Sequence, residues 1–166
     1  MRALVLCVSL ALPLSAMAQS PTAGQTTVAT TLFESAGDIS ALVAKAKATR
    51  KPDQANLVQP LIQLPPYTVN LEYRVGGLSA PASTHEREAE MFYVVEGSGT
   101  AVTGGKLRDE RRTNPANLSG SGIDGGTTRS LNKGDLLMVP ENTPHWFSPA
   151  EGGVLVLMSL HLPIVK

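Results

Sequence analysis

Two stretches of this chain carry residue types that could do chemistry together. The first, Ser83 to Gly97, reads STHEREAEMFYVVEG, and the second, Gly134 to Phe147, reads GDLLMVPENTPHWF. Each sets an imidazole beside apolar, β-favouring residues and bounds them with glycine or proline. A histidine with carboxylates in one strand unit and a second histidine in another is what a metal ion asks of a β-scaffold. Imidazole and carboxylate together suit divalent transition ions.

The elements that must position these groups are short strands. Val69, Leu71, Tyr73 and Val75 alternate with Thr68, Asn70, Glu72 and Arg74, and the pattern ends at Gly76-Gly77. Leu57–Leu64 is apolar but broken by Pro60, the mark of an edge strand or extended arm. Further strands are predicted over 90–96, 99–104, 127–131, 135–139, 144–148 and 153–161. Frequent glycine and proline turns between short strands indicate a sandwich or barrel. The stretch 104–126 is polar and glycine-rich, and is expected to form a long loop, either a lid or a disordered insertion. One helix is predicted over 38–51, with Asp38 as its N-cap, one apolar face from Ile39, Leu42, Val43 and Ala46, and Pro52 as its stop.

The two chemical stretches resemble the paired motifs of the cupin superfamily, small double-sheet jelly-roll β-barrels that often hold one metal. The family's first motif has two histidines one residue apart, then a glutamate, then a glycine. His85, Glu90 and Gly97 fit it from the second histidine onward. Its second motif runs glycine, proline, a usual glycine, histidine and often asparagine. Gly134, Pro140 and His145 fit, Asn142 stands at the usual glycine and Pro149 at the asparagine. The resemblance spans roughly residues 67 to 161 and implies an all-β fold of jelly-roll type, with the helix appended and residues 57–166 forming the barrel.

The chain departs from the pattern at Ser83, where the first histidine would stand. Residues two apart on a strand share a face, so Ser83 points where His85 points, and a neutral hydroxyl is a poor ligand. What the resemblance leaves as ligands is His85, Glu90 and His145. Two imidazoles and one carboxylate with open positions match the pattern associated with iron(II), and manganese or zinc also accepts them. The alternative is a barrel that has lost its metal. His161 follows the last apolar strand; a surface position is its first expectation, and a fourth nitrogen its second, if that strand lines the cavity. By parity Phe92 joins Glu90 and Phe147 joins His145, so both would wall a pocket. Ser83 is a further pocket candidate. Arg74 either faces solvent or, turned into a barrel, suits an anionic group. Tyr93 and Trp146 fall on the opposite faces.

The functional expectation is a metal-dependent enzyme of cupin type, an oxygenase or a lyase/isomerase, acting on a small molecule. Its rival is a non-catalytic module that binds a sugar or acid through Ser83, Arg74 and Glu90. Composition limits the partners. Arg2, an apolar run from Ala3 to Leu14 and Ala16-Met17-Ala18 have the layout of a cleaved export signal over residues 1–18, giving a secreted or periplasmic protein beginning near Gln19. A flexible lead-in over 19–37 would follow. The single cysteine, Cys7, falls within the signal, so no disulfide is expected. The chain has 14 basic and 14 acidic residues, and losing Arg2 leaves it near −1. That balance attracts neither nucleic acid nor anionic lipid. Lys106, Arg108, Arg111 and Arg112 cluster, but Asp109 and Glu110 among them indicate a solvated loop. A homodimer is expected, with Leu57, Val58, Leu61, Ile62 and Leu64 as an apolar arm.

Overall fold

The computed structural model describes residues 32–164; the expected signal segment, Cys7 and most of the lead-in lie outside them. The helix, α1, spans Ala36–Thr49 and is the one helix among the described residues. It starts two residues earlier than the sequence pattern suggests. Ser35 is the cap: its hydroxyl accepts from the Asp38 N–H, and the Asp38 carboxylate accepts from the Ser35 N–H. Asp38 therefore completes a capping box from inside the first turn rather than capping the helix itself.

Twelve strands follow: β1 (Asn56–Leu64), β2 (Tyr67–Val75), β3 (Ala82–His85), β4 (Glu88–Thr103), β5 (Lys106–Arg108), β6 (Arg111–Asn114), β7 (Asn117–Gly120), β8 (Gly122–Asp124), β9 (Thr127–Asn132), β10 (Leu136–Val139), β11 (His145–Pro149) and β12 (Val154–Pro163). Ten of them run through one curled antiparallel sheet in the order β1-β2-β12-β4-β11-β3-β7-β6, with β9 and β10 also paired to β4. The jelly-roll expectation holds. The strands predicted over 90–96 and 99–104 are one continuous strand. β4 pairs β12 and β10 through its first half and β9 and β11 through its second. It turns the corner at Gly97, whose φ is 79°, and where a Cβ would lie 1.9 Å from the Val154 carbonyl oxygen. Only glycine fits that bend.

Two apolar clusters lie on opposite sides of the sheet. Phe92, Val94, Ala101, Leu131, Val139, Phe147, Leu155 and Leu157 fill the inside of the barrel. Outside it, α1 covers Leu61, Leu71, Tyr73 and Val156 with Ala46 at the centre. This outer layer reverses the usual reading of β2. Its apolar residues face outward under the helix, so its polar face, Asn70, Glu72 and Arg74, turns into the barrel. The same layer consumes most of the apolar arm on β1. Leu57, Leu61 and Ile62 pack within the chain, leaving Val58 and Leu64 exposed.

The expected long loop is a second correction. Residues 104–126 contain β5 to β8, and β7 extends the main sheet by pairing with β3. Four strands of three or four residues, mostly polar and only half exposed, carry too short a period to be recognised by alternation.

Candidate metal centre

His85 ends β3, Glu90 lies near the start of β4, and His145 opens β11. These three residues offer ligand atoms all within 4.8 Å of one another. The second motif is tied directly to the first: the Asn142 N–H donates to the His85 carbonyl oxygen at 2.8 Å. Asn142 adopts φ 55°, a left-handed conformation that asparagine tolerates better than other side-chain-bearing residues. That is why it can replace the glycine usual at this position.

The orientation of each imidazole is set by its Nδ1. His145 Nδ1 faces the Thr143 carbonyl at 3.1 Å, an acceptor only, so this nitrogen carries the proton. His85 Nδ1 faces Asn117 Oδ1 at 2.9 Å. In the neutral rings the bare nitrogen is then Nε2, and both Nε2 atoms turn on the same oxygen. His145 Nε2 lies 3.0 Å and His85 Nε2 3.3 Å from Glu90 Oε2. Glu90 is 3% exposed, and its Oε2 is buried without a hydrogen-bond donor. Three lone-pair donors converging on one buried point repel one another unless a cation sits among them.

Around this point is a cavity of ≈ 290 Å³ whose walls include Glu72, Arg74, Ser83, Phe92 and His161. Volume does not single it out, because a hollow beside Ser79, Asp109 and Arg111 is equally large. Chemistry does. Phe92 lines it, and Phe147 packs behind Phe92 with ring centroids 4.5 Å apart and planes tilted by 55°, both rings near His145. Ser83 lies opposite His145 in the sheet and lines the cavity. Arg74 does not face solvent. It ion-pairs with Glu72 through Nε at 3.0 Å and Nη2 at 2.6 Å, and lies 5.2 Å over the Phe147 ring. Asn56 Nδ2 also donates to Glu72 at 3.3 Å. Burial pushes the Glu72 carboxyl up, but the Arg74 charge and these hydrogen bonds outweigh it and hold it below its ordinary value. Tyr93 and Trp146 stand outside the cavity, with Trp146 Nε1 donating to the Ala80 carbonyl.

His161 is not a free surface residue. It pairs with Glu90 across β12 and β4, and its ring is half-buried at the cavity. Its Nδ1 lies 3.0 Å from Glu88 Oε1 and its Nε2 3.3 Å from Glu90 Oε1. Burial pulls its pKa down, but the hydrogen bond to Glu88 and the charges of Glu90 and Glu88 raise it above the ordinary value. The same hydrogen bond holds Glu88 low. Sequence reading missed Glu88, Asn117 and Asn56 entirely. Asn117 sits in the stretch taken for a loop, and Asn56 one residue before the predicted strand.

A family model described as Cupin matches residues 54–159. No curated protein matches the chain. Among solved structures, a conserved protein with a double-stranded β-helix domain from Klebsiella pneumoniae aligns with a TM-score of 0.53 and 12% identity, over 73% of this chain and 86% of its own. TT1209 from Thermus thermophilus aligns with a TM-score of 0.51 and 17% identity, over 72% and 93%. HppE, solved with Fe(II), gives 0.51 and 17%, over 66% of this chain and 52% of its own. At these identities the likeness is one of fold.

Proposed function

The chain belongs to the cupin family, and from that premise we propose that it is a metal-dependent enzyme acting on a small organic molecule, as an oxygenase or a lyase/isomerase. The observation that carries the proposal is the buried Glu90 Oε2, without a donor and faced by two imidazole nitrogens. His85, Glu90 and His145 would hold the ion. Iron(II), manganese and zinc all accept this donor set; HppE is described with Fe(II), the ion most associated with two imidazoles and a carboxylate. A bound divalent ion supplies Lewis-acid polarisation of a substrate oxygen or activation of a small co-substrate.

The chain's own residues would do the rest. Phe92, backed by Phe147, excludes water from one side of the cavity. Arg74, steadied by Glu72, presents a positive group to a substrate anion, and Ser83 and Asn56 offer hydroxyl and amide contacts. The homodimer is carried into the proposal on another surface, because β10 leaves Leu136 and Met138 exposed beside Tyr93. Sedimentation at micromolar concentration should give a dimer, and Met138→Glu should shift it to monomer.

The decisive experiment is metal titration into stripped protein purified without a polyhistidine tag, followed by elemental analysis. Wild type should bind about one ion per chain, and His145→Ala should bind none, since two remaining ligands hold a transition ion weakly. Equal loading of the two, or none in either, would sink the metal reading and leave the non-catalytic binding module in its place.

A further inference from the structure

The two oxygens of Glu90 have different neighbours. Oε2 faces His85 and His145, at 3.3 and 3.0 Å, while Oε1 faces His161 Nε2 at 3.3 Å. His161 lies outside the group of ligand atoms within 4.8 Å of one another. It is therefore set neither on the surface nor among the ligands, but behind the carboxylate. Its other nitrogen is anchored on Glu88 Oε1 at 3.0 Å; both partners are carboxylate oxygens, so the ring donates to both only with a proton on each nitrogen. That oxygen also stands 3.6 Å from His85 Nδ1, so Glu88 touches the supports of two site residues. The backbone makes the arrangement stiff. His161 and Glu90 are direct partners in the β12–β4 ladder, as are Pro163 and Glu88.

We propose that His161 is a positioning residue which engages one oxygen of Glu90 and so presents the carboxylate to the ion through Oε2 alone, with Glu88 holding the His161 ring in place. This inference rests on the metal reading above and adds to it a reason why the site keeps positions open. A carboxylate bound through both oxygens would take up a coordination position that a substrate needs. One held from behind leaves that position free.

The test uses Co(II) as the probe on the full-length stripped protein, with wild type, His161→Ala, His161→Gln and Glu88→Gln. His161→Ala should weaken Co(II) binding by about 10–100-fold, the usual cost of removing a group that orients a ligand, and should change the visible d–d spectrum. His161→Gln, whose amide can still donate to Glu90, should restore both the affinity and the wild-type spectrum. Glu88→Gln should shift affinity in the same direction as Ala but less. Pulsed EPR on the Cu(II)-loaded protein should count two coordinated imidazoles in wild type and two in His161→Ala. Three in wild type would make His161 a ligand and overturn the proposal. So would an Ala variant indistinguishable from wild type in affinity and spectrum, or a Gln variant as impaired as Ala. Wild type that takes up no Co(II) is a different failure, because it removes the metal centre itself.

Discussion

Two glutamates are buried in one cavity, on strands that flank β12 from either side, and they are buried on different terms. Glu72 on β2 is 7% exposed and has its negative charge answered within the chain: Arg74 and Asn56 all donate to its Oε2. Glu90 on β4 is 3% exposed, and its Oε2 meets only imidazole nitrogens that already give their protons elsewhere. A buried charge is tolerated when it is paired and hydrogen-bonded and is costly when it is not. The β2 wall is therefore complete as it stands, while the β4 wall is complete only with a cation. Under the proposed function, the difference separates a wall that would recognise substrate from a wall that would hold the metal.

The widest test of that separation exchanges each glutamate for glutamine. Glu90→Gln should weaken metal binding by about 100-fold or more, because it removes the only anionic ligand; Glu72→Gln should leave metal affinity within about threefold. Stability of the metal-free proteins should move in opposite directions. Glu90→Gln relieves the charge on a buried oxygen that has no donor, Oε2, and should raise Tm, whereas Glu72→Gln strands Arg74 and should lower it. Calorimetry on stripped protein decides this, and a fall in Tm for both would mean that Glu90 is already satisfied without metal.

A smaller effect separates the two imidazoles on the metal-binding wall. His145 is oriented by a backbone carbonyl, which no side-chain substitution removes, whereas His85 depends on Asn117. Asn117→Leu should cost about 10–100-fold in metal affinity while keeping the stoichiometry at one. Affinity equal to wild type in isothermal titration would show that the backbone alone orients His85.

The same contrast explains what the sequence disclosed. The metal-binding wall was legible because its chemistry lies in two local patterns with fixed spacing, His85 to Glu90 to Gly97 and Gly134 to Pro140 to His145. The recognising wall was not. On β2 alternation leaves open which face turns inward; α1 covers the apolar one from outside, so Glu72 and Arg74 point inward. On β12 both faces are apolar, with Leu155 and Leu157 inside and Val156 and Met158 outside, so alternation could not say on which side His161 falls. Only pairing with β4 resolves it. Asn117 was hidden because a four-residue polar strand has no period to read.

Ser83 allows the metal-binding wall to be pushed toward the family pattern. It lies directly opposite His145, on the face that His85 shares. Ser83→His should tighten metal binding by about tenfold, roughly 1.4 kcal/mol, by adding a donor from the side that already holds two. Turnover on any substrate found should fall, since the added ring fills a position the substrate would take. Unchanged affinity would show that residue 83 cannot reach the ion, and the cavity geometry around His145 would need revision.

The smallest effect belongs to the recognising wall, and it is one of slope. The folded pKa of Glu72 lies below its unfolded value, so its pairing with Arg74 contributes stability in full above about pH 4.5 and loses it as the pH falls through the depressed folded value. In Glu72→Gln no such contribution exists at any pH. The Tm gap between wild type and this variant should therefore be widest near neutrality, a few degrees for a chain of this size, and should close on acidification below about pH 4.5. Metal binding follows a different group of protons: the imidazoles must be deprotonated at Nε2 to ligate, so binding should fade on acidification. The two limbs should stay separate, because they report different groups. A gap that stays constant down to pH 3 would mean that Arg74 gains nothing from Glu72's charge. A gap that closes together with metal release would mean that the two walls act as one electrostatic unit.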